Sequence, residues 1–575
     1  MKKLKAFVLD ADAVQRKGEA GVRLYCKTFP KNAAQRFFAP FEPYFYLVPA
    51  SAERIDEAAG QLREVKAFSR GKEFLPKRVE QEERILAGGK TTVLKIICRS
   101  PAHVPALREV ARRWGETFED NIPFTRRFLI DNQVVPGALA EIELEEDGVV
   151  AKKIVHITSG KGRAEAPRLN EMAFDIETHN PAGVPNARAD PCIMISYATV
   201  RTPEAFAGHR GQREPASVEN GGEENGVITY SKNSAAVAKK VQGVKVVEGE
   251  KQMIEEFCRL VREKKVDLLA SYNGDEFDLP YLIERAKALK AELKLGRDSK
   301  PISVKKLGLR RRAKIGGRIH FDAFTPISFL NFIGSYRFTR LTLGAVYKEL
   351  FGEEKLDTKK LEIWRAWDEG GDKLEHLLQY SKADAAACLK ITRKILPLET
   401  ELAKVTGLTL FEASRATPGQ MVESLLMRHA FLRGEIVPQK PGFSTVQSRQ
   451  EDAIKGAYVK MPSPGLYENI AVFDFRSLYP TIITSHNIDP FTLNCGCCKG
   501  IDNPNIAPTG DYFCTKKKGV IPETLAKVLE ERFAIADEMK KLEKESGKNS
   551  EEYQQLDARK FALKILANSF YGYPV

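Results

Sequence analysis

The chain has 575 residues, 43% of them hydrophobic and 29% charged, with a net charge of +13. That is ordinary globular composition but too long for one core, so roughly three or four domains are expected. No apolar run reaches membrane-spanning length and the segment from Met1 to Asp10 lacks the apolar stretch of a signal peptide, so no membrane partner and a cytoplasmic location are expected. The excess of Lys and Arg suits a polyanionic partner such as nucleic acid, although a merely basic surface would carry the same charge.

Residues 1–138 alternate β-rich runs with helical stretches, and Phe41 to Val48, aromatic and β-branched, is a strong strand signal. Residues 139–170 read as a β-hairpin and linker, with turns at Gly148 and from Ser159 to Gly162. An α/β pattern starts near 171. Residues 203–240 are rich in Gly, Glu, Asn and Ser and read as an exposed insertion. Helical periodicity returns over 251–265. Arg310 to Arg318 reads as a solvated basic hairpin or loop that touches a DNA backbone at most. Amphipathic helices follow to about 435. Pro438 to Gly465 is punctuated like a domain junction, and 522–570 reads as two helices split between Ser546 and Ser550. Five of the nine cysteines are scattered singly, whereas Cys495, Cys497, Cys498 and Cys514 cluster. They suit either a local staple of one or two bridges or zinc thiolates. The spacing is not that of a zinc ribbon, so the staple is preferred.

Two groups of residues carry chemistry. In the first, Met172 to Thr178 is an apolar strand whose Asp175 and Glu177 fall on one face. Two buried charges there need partners or metal, though the same pattern also occurs on solvent-facing edge strands. Leu268 to Leu282 runs from a strand through an Asn273-Gly274 turn into a helix that starts near Asp278. Asp278 could simply cap that helix, and Asn273 and Asp275 could simply form the turn. His376 to Ala386 is a helix with Tyr380 and Asp384 on one face, which also suits a plain buried pair. Together Asp175, Glu177, Asp278 and Asp384 offer hard oxygen ligands for Mg²⁺ or Mn²⁺.

In order and spacing these segments resemble the three motifs of the DnaQ-like 3′→5′ exonuclease domain. The resemblance implies that the four acids hold two metal ions and that Tyr380 orients the attacking water. It also places Asn273, Phe277 and Gly456 on the DNA path.

In the second group, Glu468 to Ile483 reads as a strand ending in Asp474, then a turn and a helix with Tyr479 at its start. The backbone N–H groups after Asp474 could cradle phosphate. Asp474-x-x-Ser477-Leu478-Tyr479-Pro480 resembles motif A of family B DNA polymerases. There the aspartate binds two metals and the tyrosine lies under the sugar. Lys564, Asn568 and Tyr571 form one helical stripe, which alone suits a solvated face. Lys564 to Gly572 resembles motif B of the same family, and Arg532 matches a further phosphate-binding position. Together they imply binding of a deoxynucleoside triphosphate at Tyr479, Arg532, Lys564, Asn568 and Tyr571. The family's next cation falls at Ala536 here, so the resemblance implies either weaker triphosphate affinity or a substitute cation such as Lys540. Gly456 and Ala457 fit a segment linking the two activities, with Ile454 in place of the family's tyrosine.

The resemblance extends to the N-terminal residues. Pro43, Tyr44, Val104, Ile122, Phe124 and Arg127 match the pocket in which archaeal family B polymerases capture template uracil. Each residue alone suits ordinary domain core equally well.

The fold expected is multidomain, α+β and α/β. It comprises an N-terminal β-rich domain (1–138) and an RNase H-like exonuclease domain (139–403). A helical segment (404–440), a partial palm (441–520) and helical fingers (521–575) follow, with no thumb. No Asp-Thr-Asp occurs in the chain. The resemblance therefore implies the large subunit of a split archaeal-type polymerase. A small C-terminal subunit would supply that motif, the thumb and contact with a sliding clamp. Primer-template DNA and deoxynucleoside triphosphates are the expected ligands. The alternatives are a stand-alone 3′→5′ repair exonuclease with a DNA-binding palm remnant, a non-catalytic module that stalls on uracil, or a truncated chain.

Overall fold

The structure is a computed structural model of the chain. It describes residues 2–69, 71–157, 167–200, 223–230, 233–298, 300–308, 310–356, 358, 362–439, 447–448, 460–500, 502–503 and 505–572. Two compact units divide the chain. One comprises Met1–Val14, Val22–Ala39 and Val134–Ala416, and the other Gln15–Gly21, Pro40–Gln133 and Thr417–Val575.

A six-stranded sheet organises the first unit. Its order is Val244–Val246, Glu223–Thr229, Cys192–Val200, Glu171–Thr178, Leu268–Ser271 and Ile319–Asp322. The strand Glu171–Thr178 runs antiparallel to Cys192–Val200 and parallel to Leu268–Ser271. Period-two alternation then sorts its side chains. Met172, Phe174 and Ile176 join a core with Met253, Ile254 and Phe257 of the helix Glu250–Glu263 and with Leu279 and Leu282 of the helix Asp278–Leu289. Asp175 and Glu177 are left for the opposite face. There the long helix Gly371–Thr406 packs, sealed by Leu374, Leu377 and Leu378 against Ile193, Met194 and Val227. The expected hairpin is present as Leu139–Leu144 with Ala151–His156. It lies in a second sheet beside Lys2–Arg16, Glu19–Phe29 and Ala34–Pro40. The turn expected from Ser159 to Gly162 lies outside the described residues.

Two expectations change in this unit. Part of the supposed exposed insertion is a core strand, since Glu223–Thr229 pairs with Cys192–Val200 and buries its last four residues. Asn225-Gly226 imitates a turn in the sequence. Its glycine is needed because a Cβ there would stand 2.7 Å from the Tyr197 hydroxyl and 2.4 Å from the Gly243 carbonyl. The basic stretch is also less solvated than expected. Arg310–Lys314 does form a hairpin with Ser303–Leu307. Lys314, however, bridges Asp10 at 3.2 Å and Asp12 at 2.6 Å, and buried Arg318 donates to the carbonyls of Leu295 and Val266.

The second unit holds a four-stranded sheet ordered Arg78–Leu86, Gly89–Ile97, Tyr44–Pro49 and Gly115–Phe118. Its later helices are Pro418–Leu432, Leu478–Ser485, Val520–Ser546 and Glu551–Ser569. The last two match the expected pair, and the hydroxyl of Ser550 caps the second by accepting from the Tyr553 N–H at 3.3 Å. The strand expected to end at Asp474 is not formed. Residues 470–475 have no regular structure, and Ile470, Val472, Phe473 and Phe475 are exposed. A strand needs a neighbour for its backbone groups, and none of the described strands lies beside this one. No described helix is long and apolar enough to cross a membrane.

Candidate active site

The strand Glu171–Thr178 and the helix Gly371–Thr406 bring Asp175, Glu177 and Asp384 together. One carboxylate oxygen from each lies within 4.8 Å of the other two. Tyr380, one turn before Asp384, is buried, and Glu177 and Asp384 both bear on its phenol. Asp278 is the first residue of its helix rather than the cap. Its carboxylate is buried and close enough to Asp175 for their charges to oppose each other. All five expected residues of the first group therefore converge.

Such crowding is electrostatically costly. Burial, and then the charges of Asp278, Glu177 and Asp384, push the Asp175 carboxyl well above its ordinary range, against the opposing pull of Lys355. Burial pushes the Asp278 carboxyl up to about 7. Burial and the neighbouring acids also push the Tyr380 phenol up, so it stays a proton donor. A cluster that resists full ionisation without added positive charge, and that offers only hard oxygen donors, fits divalent metal ions. Asp175, Glu177, Asp278 and Asp384 would hold them.

Three residues that sequence reasoning passed over support this cluster. Lys355 pairs with Asp384 and places its ammonium 4.5 Å from the centre of the Tyr380 ring. It lies outside every motif, so no spacing rule points to it. Asp322, buried at the end of the strand Ile319–Asp322, accepts from the N–H groups of Asn273 at 2.8 Å, Asp275 at 3.0 Å and Phe324 at 3.1 Å. It thereby fixes the turn that leads into Asp278. Asn273 takes a positive φ of 68° there, and a Cβ on Gly274 would collide with the Ser271 hydroxyl at 2.1 Å. Arg415 donates to Asp275 at 2.6 Å. Burial alone would raise the Asp275 carboxyl, but the His320 hydrogen bond and the Arg415 charge outweigh it and hold the group below its ordinary range. Asn273 and Phe277, expected on the DNA path, are half-buried on this turn. Gly456, with Ile454 and Ala457, lies outside the described residues.

The second group assembles in part. Asp474 is exposed on its extended segment. Ser477 ends that segment at φ 55°, a left-handed conformation uncommon outside glycine, and its hydroxyl accepts from Arg532 at 3.0 Å. Tyr479 stacks on Tyr571, with ring centroids 4.1 Å apart and planes 25° apart. Lys564 and Asn568 face solvent from the helix, but Tyr571 falls past its end at Ser569 and is exposed in the following turn, so the expected three-residue helical stripe is cut short. Lys540, a candidate substitute at the Ala536 gap, is exposed and paired with Asp537 at 3.0 Å.

The six uracil-pocket candidates separate. Arg127 is a buried hub, paired with Glu119, with Asp131 at 3.0 Å and with the Tyr44 hydroxyl. Tyr44 donates to Asp131 at 2.6 Å. Phe124 packs on Phe41 at 5.4 Å, Pro43 is buried and Ile122 is half-buried. Val104 instead packs with Phe45 and Leu47, which the pleat places on the opposite face of the strand from Tyr44. A cavity of about 660 Å³ does open beside Tyr44, lined by Phe41, Lys77, Arg78, Lys95, Arg99 and Asp131 among others.

The expected cysteine staple is not formed. Cys495, Cys497, Cys498 and Cys514 are free thiols whose neighbouring Sγ atoms lie 3.5–3.9 Å apart, far beyond the ~2.0 Å of a bond.

Comparison with known proteins finds matches in both halves of the chain. Residues 115–337 match the exonuclease domain of DNA polymerase family B, and residues 411–574 match DNA polymerase family B itself. The DNA polymerase of Pyrococcus glycovorans is 34% identical over 570 residues, covering 98% of this chain and 64% of that protein. That of Thermococcus sp. strain 9oN-7 is 35% identical with the same coverage. The structure of the family B DNA polymerase from the hyperthermophilic archaeon Pyrobaculum calidifontis superposes with a TM-score of 0.79 at 27% identity, covering 99% of this chain and 68% of that one. The chain thus spans 64% of the length of these curated relatives. With both halves matched and archaeal relatives aligned almost end to end, the chain belongs to DNA polymerase family B.

Proposed function

We propose that this chain is a DNA-directed DNA polymerase component with a proofreading 3′→5′ exonuclease, acting on primer-template DNA and deoxynucleoside triphosphates in the cytoplasm. The convergence of Asp175, Glu177 and Asp384 within 4.8 Å, beside Tyr380 and Asp278, carries the nuclease reading. Mg²⁺ or Mn²⁺, two ions per site, would supply the charge that ionises a water and stabilises the leaving 3′ oxygen. Tyr380 would orient the attacking water through its phenol, with Lys355 packed against its ring and paired with Asp384. Asn273 and Phe277 are proposed to hold the frayed 3′ end. In the other half, Asp474 is the proposed metal-binding carboxylate. Tyr479, Arg532, Lys564, Asn568 and Tyr571 are the proposed triphosphate contacts.

The exposed apolar run Ile470, Val472, Phe473 and Phe475 suits a palm strand that pairs with further strands. We propose that a separate small subunit supplies them, together with the Asp-Thr-Asp motif, the thumb and the contact with a sliding clamp. The relatives reported above carry their whole length in one longer chain, so affinity purification from the native source decides the point. A short co-purifying polymerase chain supports the proposal, and a single longer chain refutes it. The cavity beside Tyr44 is proposed to take template uracil, and Tyr44→Ala should then remove stalling ahead of uracil.

Activity is tested by paired variants. Asp175→Ala with Glu177→Ala should abolish nuclease activity, and Asp474→Ala should abolish primer extension while sparing the nuclease. Nuclease activity that survives the first pair refutes the assignment. A stand-alone repair exonuclease would show no extension with any partner.

A further inference from the structure

Between the helix Leu478–Ser485 and the helix Val520–Ser546 the chain makes a small irregular knob with four cysteines at its centre. The Sγ separations are 3.5 Å for Cys495–Cys497, 3.9 Å for Cys497–Cys498, 3.5 Å for Cys497–Cys514 and 3.8 Å for Cys498–Cys514. All four sulfurs lie within 4.8 Å of one another. A tetrahedron with metal–sulfur bonds of ~2.3 Å has edges of about 3.8 Å. The observed separations match that figure, and a disulfide at ~2.0 Å does not.

We propose that Cys495, Cys497, Cys498 and Cys514 bind a single structural zinc ion. Four thiolates in a tetrahedron suit zinc and leave no open position for catalysis. The sulfurs are too tightly gathered for an iron–sulfur cube, in which each iron takes its own cysteine and the ligands spread around the cluster.

The local backbone explains how adjacent cysteines reach one ion. Gly496–Cys498 is a single 3₁₀ turn preceded by Cys495, so successive side chains swing round instead of alternating as they would on a strand. The fourth ligand arrives on the returning chain, which is registered by antiparallel bridges between Leu493 and Phe513 and between Ile506 and Tyr512. Supporting hydrogen bonds hold the ligands. The Lys517 N–H donates to the Cys514 sulfur at 3.3 Å, the Tyr512 hydroxyl donates to the Cys495 carbonyl at 2.9 Å, and the Lys516 ammonium donates to the Cys497 carbonyl at 2.8 Å. Four thiolates on Zn²⁺ leave a net negative charge, and Lys499, Lys516, Lys517 and Lys518 flank the ligands in sequence.

The position suggests what the ion does. The Asn487 side-chain amide donates to the carbonyls of Cys514 at 2.6 Å and Lys517 at 2.8 Å, and its oxygen accepts from the Gly519 N–H at 2.9 Å. Gly519 is the cap of the helix Val520–Ser546, and Asp489 accepts from the Ile521 N–H at 3.0 Å. The knob therefore braces the junction between the helix carrying Tyr479 and the helix carrying Arg532. Zinc would fix that junction without touching substrate.

The test uses the full chain purified in reductant without chelator. Elemental analysis should find about one zinc per chain, and Co²⁺ exchange should give the ligand-field and sulfur charge-transfer bands of a four-thiolate tetrahedral site. Cys514→Ser should lose the metal, while its intact exonuclease activity reports folding of the nuclease unit and retained far-UV circular dichroism reports the helices of the second unit. Hydrogen exchange should then quicken at the first turn of the helix Val520–Ser546. Any of three results overturns the proposal: a disulfide among these cysteines in non-reduced peptide maps, iron with inorganic sulfide, or four freely alkylated thiols after addition of Zn²⁺.

Discussion

Tyr479 and Tyr571 stack face to face with their ring centroids 4.1 Å apart, although 92 positions separate them in the chain. One opens the helix after Asp474 and the other lies in the turn just past the end of the helix that carries Lys564. Base–aromatic stacking is worth roughly 1–3 kcal/mol. Tyr571→Ala should therefore raise the KM for the incoming nucleotide by about 10-fold in primer extension by the assembled polymerase, by that same energy scale. Tyr479→Ala should raise ribonucleotide incorporation instead. Unchanged kinetics in both variants would show that the stack lies off the nucleotide path.

The acid cluster makes stability depend on pH and on metal. Asp278 is held up to about 7 by burial and Asp175 is held well above its ordinary range. A carboxylate whose pKa is raised on folding keeps its proton more tightly in the folded state. Stability therefore falls as pH rises from the unfolded value through the folded one. In chelator, the thermal midpoint of the chain should drop between about pH 5 and pH 8, and Asp278→Asn should recover up to roughly 3 kcal/mol at the upper end. Mg²⁺ should narrow the difference. A midpoint that rises over the same interval would contradict this sign.

Lys355 lowers the Asp175 carboxyl against its acidic neighbours, and it pairs with Asp384. Lys355→Ala should push the remaining carboxylates further up, so the acidic limb of the nuclease pH–rate profile should move to higher pH. At neutral pH the rate should fall by on the order of 10-fold. Lys355→Arg should restore part of the profile. An unmoved limb would make Lys355 a bystander.

Asp322 satisfies two backbone N–H groups of the turn before Asp278, those of Asn273 and Asp275, and a third at the start of its own following helix, that of Phe324. Asp322→Ala should cost about 2–4 kcal/mol by leaving buried donors unpaired. It should also depress nuclease activity more than global unfolding explains, because Asp278 loses its support. Calorimetry and single-turnover cleavage on the same preparation separate the two effects.

The first site was legible because each of its segments joins a regular period to a chemical requirement. Asp175 and Glu177 share a strand face, and Tyr380 and Asp384 share a helix face. Their supports were not legible. Lys355 and Asp322 reach the site from segments whose local sequence has no distinctive spacing, and only tertiary contacts bring them in. The strand Glu223–Thr229 was missed because Asn225-Gly226 imitates a turn, whereas Gly226 is there to admit Tyr197. Around Asp474 the sequence suggested a strand that the structure does not form, because a strand needs a partner and none of the described strands lies beside it. The cysteines misled through spacing alone, since nothing in Cys-x-Cys-Cys shows that a 3₁₀ turn gathers the sulfurs.

Digestion of a 5′-labelled single-stranded DNA by this chain in Mg²⁺ tests the central claim most directly. The predicted result is a ladder that shortens one nucleotide at a time from the 3′ end, stops in chelator and vanishes in Asp175→Ala with Glu177→Ala. Intact DNA, internal cuts, or a ladder that survives the double substitution would contradict the assignment of the Asp175, Glu177, Asp278 and Asp384 cluster.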